Sequence, residues 1–539
     1  MIADIVFKNG EVITVDQNNS ISEAAAVKGN RIVGVGTNTE ISSFIGENTK
    51  VIDLQGRSML PGFIDSHVHM MLQGANKLSV NCKESHLKSM QNILDDLKAK
   101  AEVTPKGQWL RAIGFDETEI VEKRYPTKSE LDEVSKEHPV IVMRTCLHTS
   151  IVNSKALEIA GVTKDTPNPV GGIIGRDEDG LPNGVLYETA HMEMFEKAKL
   201  TREETIQALG LANNEFISLG ITSIHDAGGY GPETLRMMQE AVKAGHIKVR
   251  IYTKICALHK SEEFIAKVMD SGVVTGLGNE KIRIGPVKIF VDGSSSVPTI
   301  ATREPYTSNP QDYGILFYTQ EEIDNILNTA HEHGFQITAH AQGDRAIEML
   351  LNTYEKLLKK KPKEDHRFTI EHAGLSMPDL LERMKQLKVI PIPNPAFPYF
   401  FGDGYIKNYG ARVKHIYPLR DILDHGLIAA AGSDTPVASC NPLMGIHVAA
   451  NRISKTGQEV GANQRISVME AIRLYTWNGA YVSFEEDIKG SIEAGKLADL
   501  VVLDKSILKT DSQQINELKV ALTMIDGDVV YLNNNLLTI

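Results

Sequence analysis

Leu60-Pro61-Gly62-Phe63-Ile64-Asp65-Ser66-His67-Val68-His69-Met70 reads as a tight turn followed by a buried strand that ends in His-x-His. Alternate side chains of a strand share a face, so His67 and His69 point the same way while Val68 turns away. Two imidazoles about 6–7 Å apart along one face suit a divalent metal of the zinc, manganese or iron type. The same pair also fits two polar residues at a strand end. What lies downstream decides between the two.

From residue 203 onward, helix and strand alternate. The apolar periodicity predicts helices over 203–219, 233–244, 262–271, 320–333, 345–359, 379–387 and 419–424. Each is followed by a mostly apolar strand, over 221–226, 248–257, 282–291, 336–340, 367–372, 389–393 and 428–432. With the His-x-His strand this makes eight, the pattern of a parallel sheet covered by helices, and it favours an α/β fold closed into a (β/α)8 TIM barrel. The barrel region, residues 59–484, far exceeds the roughly 250 residues usual for such a fold. Much of the surplus is an insertion after strand one, at about 73–200, with a helix over 89–101, a strand over 140–144, and Trp109, Phe115 and Tyr125. A long loop at the catalytic end of a barrel is a natural substrate cover. Residues 294–316, rich in Ser, Thr and Pro, read either as a lid or as an ordinary surface loop.

The flanks differ from the centre. Residues 1–58 carry short strands over 3–8, 11–15, 24–28, 31–35 and 51–54, with Asn9-Gly10 and Gly29-Asn30 as hairpin turns. Residues 485–539 have the same character, with strands over 500–503, 520–525 and 529–532. Neither flank is long enough for a comfortable sandwich. Together they are expected to form one small composite β-sandwich domain, which the chain leaves near 58 and re-enters near 485.

A net charge of −12 argues against a nucleic-acid or anionic-membrane partner. Cys82, Cys146, Cys256 and Cys440 are scattered without a C-x-x-C pair, which fits a reducing cytoplasm. The start has no basic and apolar leader, and no apolar run approaches the roughly 18 residues of a membrane span. The expectation is a cytoplasmic protein with a small-molecule substrate, and without nucleic acid or membrane as partner.

Potential ligands fall at the ends of several predicted strands: His67 and His69, Lys288 in strand four, His340 closing strand five, His372 closing strand six, and Asp434 just past strand eight. Barrel active sites are assembled from different strand ends on one face, so these residues are expected to converge. Here the chain resembles the amidohydrolase superfamily, and within it the YtcJ-like, N-substituted formamide deformylase-like branch (amidohydrolase family 3). The resemblance covers nearly the whole chain. It rests on the His-x-His stretch, His148 with Val152-Asn153-Ser154-Lys155-Ala156-Leu157, Gly220-Ile-Thr-Ser-Ile-His-Asp226, and the segment from Lys288 to Ser294. It continues through His340-Ala-Gln-Gly-Asp-Arg-Ala346, Ile370-Glu-His-Ala-Gly374, Gly432-Ser-Asp-Thr-Pro-Val437 and the tail from Gly490 to Leu503.

The resemblance implies His67, His69 and Asp434 on one metal and His340 and His372 on a second, with two zinc ions expected and iron or manganese as alternatives. It implies that Lys288 is carbamylated and bridges the two. An amine reacts with carbon dioxide only when neutral, burial favours that form, and the carbamate offers two oxygens to two cations. The other reading pairs Lys288 with Asp292, which shares its strand face. Metal lowers the pKa of bound water toward about 7, so the expected reaction is hydrolysis of an amide or formamide C–N bond by a metal-activated hydroxide. Asp434 is the expected catalytic proton carrier. Asp65, Asp226 and Asp344 are candidate acceptors behind histidine ligands. His148 and His225 match family positions near the pocket, or are hydrogen-bonded core histidines. His191, His331 and His333 read as surface residues of helices. The family further suggests a homodimer.

Two other functions fit the same barrel. Deaminases of this fold place a glutamate shortly after the strand-five histidine, where this chain has Gln342-Gly343-Asp344. A non-catalytic binding or regulatory member is the other, although such a protein would be expected to lose ligands and this chain keeps all six.

Overall fold

The computed structural model describes the whole chain except residues 85, 145–148, 170, 230, 258–260, 297 and 539. His148 and Cys146 lie outside the described residues. Two units are present, residues 1–70 with 213–539, and residues 71–212.

The larger unit holds a parallel sheet of seven strands in the order of the chain. They are β1 (Phe63–Val68), β2 (Ile221–Asp226), β3 (Arg250–Ile255), β4 (Ile282–Phe290), β5 (Ile337–Ala341), β6 (Thr369–His372) and β7 (Ile390–Ile392). Every residue of β1, β2, β3, β5, β6 and β7 is buried, which is why these stretches read as mostly apolar rather than alternating. The predicted eighth strand, 428–432, is not a regular strand. It still fills the gap between β7 and β1: Ala430 and Gly432 donate to Pro391 and Pro393, and the Ala431 carbonyl accepts from Ser66. The ladder is broken because Ala431 N–H turns out to the Leu474 carbonyl, at 3.0 Å, and the Ala429 carbonyl takes the Asn478 amide, at 2.7 Å. The result is a nearly closed (β/α)8 barrel. Helices Gln320–Glu332, Asp344–Lys360 and Pro378–Leu387 cover it, and Phe397–Tyr409 and Pro442–Asn451 are further helices that periodicity did not separate from loop.

Strands from both ends of the chain meet in one six-stranded sheet, ordered Asp528–Leu532, Val520–Ile525, Leu500–Leu503, Ser58–Pro61, Glu11–Ile13 and Ile21–Ser22. A four-stranded sheet of Arg31–Gly36, Ala24–Lys28, Ile5–Lys8 and Lys50–Asp53 faces it. Phe7, Val27 and Ile52 pack with Leu500, Val502, Leu522 and Met524 in their shared core. The predicted turn at Leu60-Pro61 is instead the end of a strand, paired with Leu500 and Val501. Gly62 makes the corner into β1, where a side-chain carbon would lie 2.2 Å from Thr222. Burial of this kind contributes roughly 1.5–3 kcal/mol per large apolar side chain.

The smaller unit is a folded layer rather than a loop. Its six-stranded sheet runs Gly172–Arg176, Pro182–Glu188, Thr149–Val152, Val140–Arg144, Leu110–Phe115 and Val80–Asn81. Leu94, Leu97, Leu110, Phe115 and Val142 form one core, and Ile141, Met143, Ile174, Leu186 and Met194 another. Alternate residues of Val140–Arg144 serve the two cores, so the strand covers both faces of its sheet. Arg111, 7% exposed, holds Glu204 with two hydrogen bonds, of 2.9 and 3.2 Å.

Candidate metal centre

Parallel register brings the strand ends level. Phe290 pairs with His340, Ala341 with His372, and Val68 with Thr435. His67 lies within β1 and His69 one residue past it, Lys288 within β4, His340 within β5 and His372 at the end of β6. Strand alternation cannot put both Glu371 and His372 on the barrel's inner face. The chain resolves this with left-handed backbone at His372 (φ +69°) and Ala373 (φ +44°). Asp434 is left-handed as well, at +60°. Such conformations cost of order 1–3 kcal/mol in residues other than glycine and persist where the surroundings enforce them.

His67, His372 and Asp434 each offer a ligand atom, and these atoms lie within 4.8 Å of one another. Asp434 Oδ1 is 3.2 Å from His67 Nε2 and 3.4 Å from His69 Nε2. Lys288 Nζ is 3.4 Å from His67 Nε2, and the His372 ring centre is 4.7 Å from that of His67 and 4.4 Å from that of His340. All six predicted ligands therefore share one cluster of close contacts. Asp292 does not pair with Lys288; its carboxylate accepts the backbone N–H groups of Ala301, Gln342 and Gly343 at 2.8–3.0 Å.

The far nitrogen of each ring has its own acceptor. His67 Nδ1 contacts Glu371, His69 Nδ1 lies 3.2 Å from the Gly228 carbonyl, and His372 Nδ1 lies 2.7 Å from Asn394 Oδ1. Asn394 donates its amide to the Gly432 carbonyl at 2.9 Å, which leaves its oxygen for His372. His340 is reversed, with Nε2 2.8 Å from the Gly293 carbonyl. Three rings thus present Nε2 to the cluster and His340 presents Nδ1.

Burial keeps three of the rings neutral: it lowers His67, lowers His340 to about 4, and holds His372 well below the ordinary histidine range. Burial pushes the Asp434 carboxyl up, but the His67 and His69 imidazoles beside it hold it well below the usual carboxylate range. Neutral imidazoles with free lone pairs beside a charged carboxylate are the donor set of a zinc-type divalent metal, so the residues fit one.

The other candidates divide. Asp65 accepts from Ser433 N–H at 2.9 Å and His67 N–H at 3.3 Å, and Asp344 accepts from Arg303 N–H at 2.8 Å, so both carboxylates hold backbone rather than histidine rings. Asp226 accepts from Met70 and Gly228 N–H, both at 3.2 Å, so it too holds backbone, and burial pushes its carboxyl up. His225 is buried against Tyr252 with neither ring nitrogen hydrogen-bonded. His191 and His331 are buried, not surface residues; His331 Nε2 is 2.8 Å from the Lys361 carbonyl. In residues 294–316, Ser295 Oγ is fixed by the hydroxyls of Tyr405 and Tyr417, at 2.9 and 3.0 Å. Sequence reasoning missed Glu371, Lys254 and Asn394. Glu371 and Lys254 did carry a signal, as charged residues inside strands that are otherwise buried.

Residues 50–531 match the model of the amidohydrolase family. N-substituted formamide deformylase of Arthrobacter pascens is 30% identical over 98% of this chain and 98% of its own. Putative amidohydrolase YtcJ of Bacillus subtilis is also 30% identical, over 98% and 99%. Among solved structures, a metal-dependent hydrolase from Pyrococcus horikoshii superposes with a TM-score of 0.78 at 25% identity, over 94% of this chain and 99% of that one.

Proposed function

We propose, on the premise that this chain belongs to the amidohydrolase family, that it is a metal-dependent hydrolase cleaving the C–N bond of an amide or formamide on a small organic substrate. The observation that carries this is the convergence of His67, His372 and Asp434 at the C-terminal ends of barrel strands, where the fold places its chemistry. His67, His69 and Asp434 would hold one divalent metal and His340 and His372 a second. Lys288, fully buried beside His67 Nε2, would bridge them as a carbamate. The metals supply Lewis acidity, which lowers the pKa of water toward about 7 and polarises a carbonyl.

The protein's own residues do the rest. Asp434, kept charged, accepts the proton of the attacking water and passes it to the leaving amine. The acceptors behind His69, His340 and His372 fix each tautomer, so none of these rings has to reorganise during the reaction. The names of two relatives support C–N cleavage, and that of the Arthrobacter relative supports a formamide.

The test is a panel of N-substituted formamides, simple amides and aminated heterocycles given to metal-loaded protein, with amine, acid and ammonia measured. Equal release of amine and of formate or carboxylate is the expected outcome. Ammonia released from aminated heterocycles, with no amide cleaved, would replace this reading with deamination.

A further inference from the structure

Beneath the ligand cluster lies a charged pair with no part in the reaction described above. Glu371 is fully buried, and Lys254 is 5% exposed. One Glu371 oxygen, Oε2, contacts His67 Nδ1 and accepts from Lys254 Nζ at 2.7 Å. The other, Oε1, accepts from Thr338 Oγ1 at 2.9 Å, and Thr338 Oγ1 in turn accepts from Thr369 Oγ1 at 2.6 Å. Lys254 also reaches the Ser66 carbonyl, at 3.2 Å, directly before His67. The pair therefore ties β3, β5 and β6 to the residue that the cluster turns on.

An ion pair taken this far from water is poor evidence for stability, because the desolvation of both charges offsets their attraction. Its place explains it better. A neutral imidazole has one N–H, and His67 has a carboxylate on each side: Asp434 Oδ1 at 3.2 Å from Nε2, and Glu371 against Nδ1. If the proton sat on Nε2 it would serve Asp434, and the nitrogen facing the cluster would have no lone pair to give. A metal between Nε2 and Asp434 would satisfy both of those lone pairs, whereas only a proton on Nδ1 can satisfy its contact with the Glu371 carboxylate.

We propose that Glu371, anchored by Lys254, is a positioning residue that keeps the His67 proton on Nδ1 and presents the Nε2 lone pair to metal. This rests on the metallohydrolase reading. The experiment measures zinc affinity by chelator competition, and the visible absorption of the cobalt-substituted protein, in wild type, Glu371→Gln and the double variant Lys254→Met/Glu371→Gln. The double variant leaves no unpaired buried charge, so it reads the same contact if Glu371→Gln alone fails to fold. About 10–100-fold weaker binding and a changed cobalt spectrum are expected in folded variants, the size of loss typical when the group behind a ligand histidine is removed. Wild-type affinity and spectrum in a folded variant would overturn the proposal, as would a double variant unable to fold, which would make the pair structural. A wild type that binds no metal is a different result: it would overturn the metallohydrolase reading itself.

Discussion

Asp434 has a job that its neighbours make possible. Two imidazoles lie against its Oδ1, at 3.2 and 3.4 Å, and keep it charged although it is buried. Asp434→Asn keeps the shape and removes the base, so kcat should fall by about 10²–10⁴-fold, measured by steady-state kinetics at matched metal content. A fall of less than tenfold would move the proton to another group. His340 gives a pH prediction for the metal-free protein. Its folded pKa is about 4 against about 6.5 unfolded, so the unfolded chain binds the extra proton between those values. Its contribution is complete above pH 6.5 and is lost as pH falls toward 4. Asp65 and Asp292, both raised to about 7 by burial, act with the opposite sign, so the measurement is a difference. The melting-temperature advantage of wild type over His340→Asn should shrink from pH 7 to pH 5. An advantage that grows would contradict the assignment.

Elements explain what could be read in advance. His67 and His69 were legible because a strand's twofold alternation is a local rule, and the strand-end ligands because parallel strands share one end. The role of Glu371 was not legible. Its partners Lys254 and His67 lie 117 and 304 residues away, and no local period connects them. The eighth strand was legible as an apolar run but not as a broken ladder, since the residues that break it, Leu474 and Asn478, come from later in the chain. Its close approach to β1 is testable. A side-chain carbon on Gly432 would lie 2.4 Å from His67 Cβ, so Gly432→Ala must displace one of the two. The expected cost is about 1–3 kcal/mol in urea unfolding, with weakened metal binding. Unchanged stability and metal binding would show that the segment moves freely.

At the scale of the molecule, the C-terminal flank locks onto the barrel through a buried cation. Arg250 in β3 is 1% exposed and holds Asp499 with hydrogen bonds of 2.6 and 3.0 Å, and it also contacts Asp526. Arg250→Met strands a buried carboxylate and should cost about 3–5 kcal/mol, read as a fall in urea midpoint. A loss below 1 kcal/mol would make the link dispensable. The composite sandwich was legible because both flanks carry short strands and tight turns. The order inside residues 71–212 was less so, because its central strands pair across separate segments: Pro182–Glu188 lies against both Gly172–Arg176 and the more distant Thr149–Val152. No helix among the described residues is long and apolar enough to cross a membrane. The central claim is that C–N hydrolysis depends on metal held by the strand-end cluster. The most direct test is the initial rate of amine release from an N-substituted formamide as zinc is titrated into chelator-stripped protein. No turnover is expected without zinc, and the rate should level off near about two equivalents per chain. Full turnover by stripped protein would contradict it.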